Sequence, residues 1–287
     1  MLFDHSPTAL LAARGLQIPK ICLGNGFLIP AGESPWQPLV ESTEPLTEQL
    51  TQWDAAILQS ARGVTDYFGE PALERVSRLY DADIYWLDTF VELDPFARFR
   101  SDPVYLGSYP GMDGAPPRWP DDNKPKIFAY LSPGPDLIKQ LTGLIAGGGS
   151  VLAYIRGLSR DSFSQLPNDL TIADERINMV EAVGTSDLVA CLGTHNTMCH
   201  ALLGGTPIVA IPNNLERKLH SNRVVSLAAG LSCLPDDLGN LGERVKRVLN
   251  EPEFTAGARR FQEKYKPAGA AQSLEIQLSQ AENLLNR

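Results

Sequence analysis

The residues best suited to chemistry cluster in positions 188–212, LVACLGTHNTMCHALLGGTPIVAIP. This stretch reads as a strand, a loop of small residues, a helix, a Gly-Gly turn, a second strand and a proline. Gly193, Thr194, His195, Asn196 and Thr197 follow the first strand and open the helix. Unpaired N–H groups at a helix start, together with the helix dipole, suit a phosphate or diphosphate. Thr197 adds a hydroxyl, and the His195 ring can reach a bound anion. Past the next strand, Pro212, Asn213, Glu216 and Arg217 open another helix. A carboxylate there can bind hydroxyls of a ligand held between the two loops, and a guanidinium suits phosphate. Ser132 and Gly134 follow an earlier strand and offer a further approach to phosphate. Each of these has a plainer reading as a turn, a first-turn glutamate or a solvated arginine. Cys191, His195, Cys199 and His200 lack the tight knuckle spacing of a zinc site and read as buried thiols with nearby histidines, so no metal is expected.

The elements that must hold these loops alternate regularly. Strands are expected at 127–131, 151–155, 170–173, 187–191 and 207–211. Between and after them come helices at 137–145, 179–183, 197–203, 215–229, about 240–250 and 253–265. Leu137, Ile138, Leu141, Leu144 and Ile145 make the stripe of the first helix, which Gly147 to Gly149 close. Such alternation gives a parallel, doubly wound sheet, and ligands bind at its strand C-termini. Residues 119–268 form this Rossmann-like α/β domain.

Residues 1–118 hold a second, incomplete α/β domain and the linker. Positions 1–23 make a strand–helix–strand unit, with Ser6 as N-cap and Pro7 in the first turn. A loop with Pro30, Pro35, Pro38 and Pro45 follows. Leu46, Leu50, Trp53, Ile57 and Ala61 then mark one apolar helix stripe. A further helix is expected at 71–80, with short strands at 84–87 and 104–106. Gly107, Pro110, Gly111, Gly114, Pro116, Pro117, Pro120 and Pro125 mark the linker. Residues 269–287 form a C-terminal helix that docks through Leu274, Leu278, Ala281 and Leu285.

Composition narrows the class. The 287 residues are 43% hydrophobic and 21% charged, the profile of a soluble globular protein. No stretch reaches the ~20 apolar residues that span a bilayer, and the opening residues lack the pattern of a secretory signal. Residues 1–120 carry 8 Lys/Arg against 16 Asp/Glu, and the remainder 17 against 18. With no basic excess anywhere, nucleic acid is not the expected partner. The four cysteines form no CxxC pair, which fits a reduced, cytoplasmic setting.

The 188–231 block resembles the donor domain of GT-B glycosyltransferases of the family-1 UDP-glycosyltransferase type and their bacterial relatives. Those proteins show a His-Gly-Gly-x-Gly-Thr loop, then Glu-Ala-Leu, Gly-x-Pro, a strand ending in Pro, and an acidic residue followed by Gln. Gly193, Thr197, Ala201-Leu202, Gly205, Pro207, Pro212 and Glu216 fall in step with that pattern. Asn222-Arg223-Val224 and Ala229-Gly230-Leu231 continue it. Residues 117–131, 7–13 and 24–30 resemble the linker and the later part of the N-terminal domain. Leu192 stands at the loop histidine, Thr194 and Asn196 at loop glycines, His200 at the glutamate and Arg217 at the glutamine. The resemblance implies a GT-B-like fold with one complete Rossmann-like C-terminal donor domain and an incomplete N-terminal α/β domain. It implies a nucleoside diphosphate sugar of UDP or dTDP type as co-substrate, an unidentified acceptor hydroxyl, and no cofactor. It places Ile177 and Asn178 at the base-binding loop, with helix capping as their plainer role. The part expected to hold the catalytic base has no counterpart here, and His5 sits in a different context. A catalytically impaired or non-catalytic donor-binding half, which needs a partner subunit to supply the missing part or is a truncated gene product, is the alternative.

Overall fold

The computed structural model describes residues 1–36, 39, 47–108, 113–121, 123–266 and 270–285. The chain divides into two units, Met1–Gly107 with Ala270–Arg287, and Ser108–Gly269. Pro38, Pro45, Leu46, Pro110 and Gly111, singled out above, lie outside the described residues.

In the first unit, short apolar runs give β1 (Leu2–Asp4), β2 (Ile21–Gly24), β3 (Ile84–Leu87) and β4 (Val104–Tyr105). They pair in the order β1-β2-β3-β4, parallel throughout. The crossover α1 (Pro7–Ala12) starts with Pro7 in its first turn. Ser6 makes no cap bond, because its φ of −127° and ψ of 69° leave the extended geometry that capping needs.

The helical segments of this unit differ from expectation in three places. α2 (Thr47–Phe68) buries Leu50 and Ala61, but Trp53 is 50% exposed and Ile57 is exposed too. Its inward face instead runs through Leu58, Ala61 and Val64 against Leu11, Leu73 and Leu79. Trp53 lies at the shoulder of that face, and Ile57 lies in line with it but is left exposed. Residues 71–80 hold only a 3-10 turn at Val76–Tyr80, because extended backbone at Arg75 interrupts any helix. The C-terminal helix, Ala270–Leu285, docks by a different face than its apolar stripe suggests. Leu274 and Leu278 are each 55% exposed, and the Leu285 side chain lies outside the described residues. Ala281 packs as expected, but its companions on Ile21, Trp86 and Leu106 are Ile276 and Leu284. Gln280 sits within that face, since its Oε1 accepts the Trp86 indole N–H at 2.7 Å. A polar residue in the docking face hides it from a purely apolar pattern.

Elsewhere in the unit, Asp94 is fully buried against Arg100, and Tyr105 donates to it at 2.9 Å. Arg100 also donates to the Gly26 and Ile29 carbonyls, at 2.9 and 2.7 Å.

The second unit holds β5 (Lys126–Leu131), β6 (Ser150–Ile155), β7 (Leu170–Ile172), β8 (Leu188–Cys191), β9 (Ile208–Ala210) and β10 (Gly230–Ser232). All pair in parallel, in the order β10-β9-β8-β5-β6-β7. Helices α3 (Leu137–Ala146), α4 (Met179–Thr185), α5 (His195–Leu203), α6 (Leu215–Ser226), α7 (Leu241–Asn250) and α8 (Pro252–Tyr265) join and cover the strands, and the terminal helix Ala270–Leu285 is α9. A sheet covered on both faces reads as near-continuous apolar runs, as in SVLAYI and LVAC. Ile138 departs from its expected stripe: it is 62% exposed, and Gln140 occupies the buried side with Leu137, Leu141 and Leu144. Gly147 ends α3 where a Cβ would collide with the Val245 side chain, so the helix end packs directly on α7.

Candidate donor-binding site

The strand order sets the location. From β5 the chain moves to β6 on one side and, later, through β8 to β9 on the other. The sheet therefore has its switch point between β5 and β8, where a parallel sheet opens a crevice at its C-terminal ends. Tyr130 is in register with Cys191, and Cys191 with Ala210. Ser132 and Gly134, Gly193 to Thr197, and Pro212 to Arg217 thus leave three adjacent strand ends. Ile177 and Asn178 follow β7, two strands farther along the sheet.

Gly193 shapes the central loop. It has φ +79°, and a Cβ there would lie 2.8 Å from Ser221 Oγ and 2.9 Å from the Arg217 carbonyl. The loop therefore passes against α6 with no room for a side chain. Thr194 is the N-cap residue of α5 in extended geometry, but no side chain caps this helix. The Thr194 hydroxyl bonds the Thr197 hydroxyl instead, at 2.9 Å. The backbone N–H groups of Gly193 and Thr194 face the Cys191 sulfur. Burial nevertheless pushes the Cys191 thiol up to about 11, so it stays protonated.

The neighbouring helices are finished differently. Asn214 caps α6 by accepting the Arg217 N–H at 2.9 Å. Asn178 caps α4, accepting from Val180 and Glu181 at 3.1 and 3.2 Å and donating to Glu181 Oε1. Its side chain thus performs the capping role. α3, which follows β5, resembles α5 in having no side-chain cap. Ile177 is buried, and its backbone bridges Ala115. Arg217 reaches back to Asn213 Oδ1 at 2.6 Å, which fixes the guanidinium at the mouth of the β9 loop. Glu216 is half-buried in the first turn of α6, Pro212 is buried, and Gly134 is exposed.

His195 takes a position that spacing alone does not reveal. Only 5% exposed, its ring contacts Cys199 Sγ at 3.5 Å and Asn196 Oδ1 at 3.1 Å. It lies 5.1 Å from the His220 ring, centroid to centroid. Burial, with a smaller contribution from His195, lowers His220 to about 3. Burial also lowers His200 to about 4, assisted by His195 and Arg176. The loop thus rests on a layer of imidazoles contributed by α5 and α6. No sequence motif flags this layer, since His220 lies a full strand and turn away from His195. Among the described residues, no group of three or more His, Cys, Asp or Glu side chains is arranged to hold a metal ion, and no helix is long and apolar enough to cross a membrane.

Two parallel α/β units, with a crevice at the switch point of the larger, define the GT-B class. Solved structures of that class superpose on the chain. The calicheamicin glycosyltransferase CalG4 matches the whole chain over 73% of its own length, with a TM-score of 0.74 at 20% identity. The spinosyn rhamnosyltransferase SpnG, solved with thymidine diphosphate, matches 97% of the chain over 72% of its own length, with a TM-score of 0.67 at 16% identity. No family model matches the chain. By sequence, the chain is related to family-1-like GT-B glycosyltransferases. It is 30% identical over 199 residues to a PGL/p-HBAD biosynthesis glycosyltransferase of Mycobacterium tuberculosis (strain ATCC 25177 / H37Ra). That alignment takes in 65% of this chain and 46% of the relative, so the chain spans about half the length of the curated relative.

Proposed function

We propose that the chain binds a nucleoside diphosphate sugar and serves its transfer to an acceptor hydroxyl. The uncapped start of α5 carries this reading. α4 and α6 have side-chain caps, whereas α5 and α3, which follow the two strands flanking the switch point, have none; α7 and α8 also lack one, but neither starts at a switch-point strand. A helix start without a cap, at a switch point, is where a diphosphate finds N–H donors and a favourable dipole. The N–H groups of Asn196 and Thr197 and the Thr197 hydroxyl would hold it, and Ser132 and Gly134 would approach from the β5 side. Arg217 and Asn213 would close the β9 side, with Glu216 accepting from sugar hydroxyls and Pro212 shaping the wall. Gly193 and Thr194 would position the loop, since their N–H groups face Cys191. His195 would support it from beneath. Ile177 would offer its apolar side chain and backbone near the base, and Asn178 would fix that segment by capping α4.

During transfer, negative charge grows on the departing diphosphate. The α5 terminus would stabilise that charge more than it does the intact donor, which lowers the barrier. SpnG was solved with thymidine diphosphate, which favours a dTDP- or UDP-type donor. Calorimetric titration with dTDP, UDP and GDP tests the reading. Saturable binding of at least one diphosphate, weakened by Thr197→Val, is expected; no heat with any of the three would overturn it.

A further inference from the structure

The first unit contains a cavity of about 510 Å³ beside the β3–β4 edge, remote in chemistry from a phosphate site. Ile29 and Val104 contribute to its apolar lining, and Tyr80, Tyr85 and Phe99 supply rings. This size and make-up are those of a small-molecule pocket. Its charge is one-sided. Asp83 and Asp102 supply its acidic groups. The one cation among the lining residues, Arg100, is already engaged by Asp94 and by the Gly26 and Ile29 carbonyls. Arg98 lies over the Phe99 ring, 4.7 Å from its centroid, but does not line the cavity. Arg78, close enough to act on the Tyr85 phenol, pairs with Asp81 at 3.3 Å. Burial raises both tyrosines above the ordinary phenol range, so their rings remain uncharged. Neutral phenol rings attract cations through their faces.

We propose that this cavity is a binding site for a cationic aromatic or alicyclic amine, with the ring held between Tyr80 and Tyr85 and the ammonium directed to Asp83 and Asp102. The site goes beyond the donor-binding reading and does not depend on it. An anionic ligand of the same shape is disfavoured, because its charge meets acidic side chains and the lining's one guanidinium is already committed to Asp94.

A matched series on one indole ring tests the proposal with the full chain at neutral pH: tryptamine as the cation, tryptophol as the neutral analogue and indole-3-acetate as the anion. Tryptamine is expected to bind saturably, about fivefold tighter than tryptophol, with indole-3-acetate weakest. The double variant D83N/D102N should bring tryptamine down to the tryptophol value. The amide oxygen it places at position 83 can still accept the Lys20 N–H that Asp83 takes at 2.7 Å. Ser77→Trp should fill the cavity and abolish binding of all three, with circular dichroism reporting the fold. Equal affinities across the series, absence of saturation by tryptamine, or tryptamine binding unchanged in either folded variant would overturn the assignment.

Discussion

Gly193 tolerates no other residue without movement of α6. Gly193→Ala combines a left-handed backbone with a Cβ against Ser221 and the Arg217 carbonyl. A loss of about 1–3 kcal/mol is expected, with weaker diphosphate binding; thermal denaturation and calorimetry read the two effects separately. An unchanged melting temperature would show that the loop is not confined as described. The buried histidines give a pH dependence of definite sign. His200 and His220 titrate near 4 and 3 in the fold, against 6.5 when free. Between pH 6.5 and 4 the unfolded chain takes up protons that the folded chain refuses. Stability therefore falls with acid over that window, by up to about 1.4 kcal/mol per pH unit for each histidine. Melting curves from pH 7 to 4 should show the fall, and His220→Gln should flatten it.

At the scale of elements, α5 carries a testable conflict between stability and binding. Thr194→Asp places a carboxylate where a cap belongs. It should stabilise the second unit by about 1 kcal/mol, while repelling a diphosphate and lowering its affinity at least tenfold. A rise in both quantities would show that the anion binds elsewhere. The β8–loop–α5 succession is legible in the sequence because small residues, a strand and a helix period follow one another directly, and the run 188–231 shares several positions with the GT-B pattern. The parallel sheet is legible for the same reason. The docking faces of α2 and α9 are not. Apolar periodicity identifies a stripe, but Trp53 on a shoulder and Gln280 paired with Trp86 are decided by what lies opposite. The capping difference between α5 and its neighbours α4 and α6 is equally hidden, since Thr194 is a capping residue by type, as Asn178 and Asn214 are.

At the scale of the molecule, the first unit depends on a buried ion pair. Arg100→Met would strand the Asp94 carboxylate, which is wholly enclosed. A loss of about 3–5 kcal/mol is expected, visible as earlier unfolding in calorimetry; a neutral outcome would mean that Asp94 takes up a proton at little cost. The same unit is assembled from segments far apart in the chain, since α9 rests on β2, β3 and the end of β4 through Leu284, Ala281 and Gln280. During synthesis on the ribosome, residues 108–269 emerge before α9 exists. The later-encoded Rossmann-like portion can reach its native form first, while the earlier-encoded sheet waits, with Trp86 uncovered, until residues 270–285 have been made.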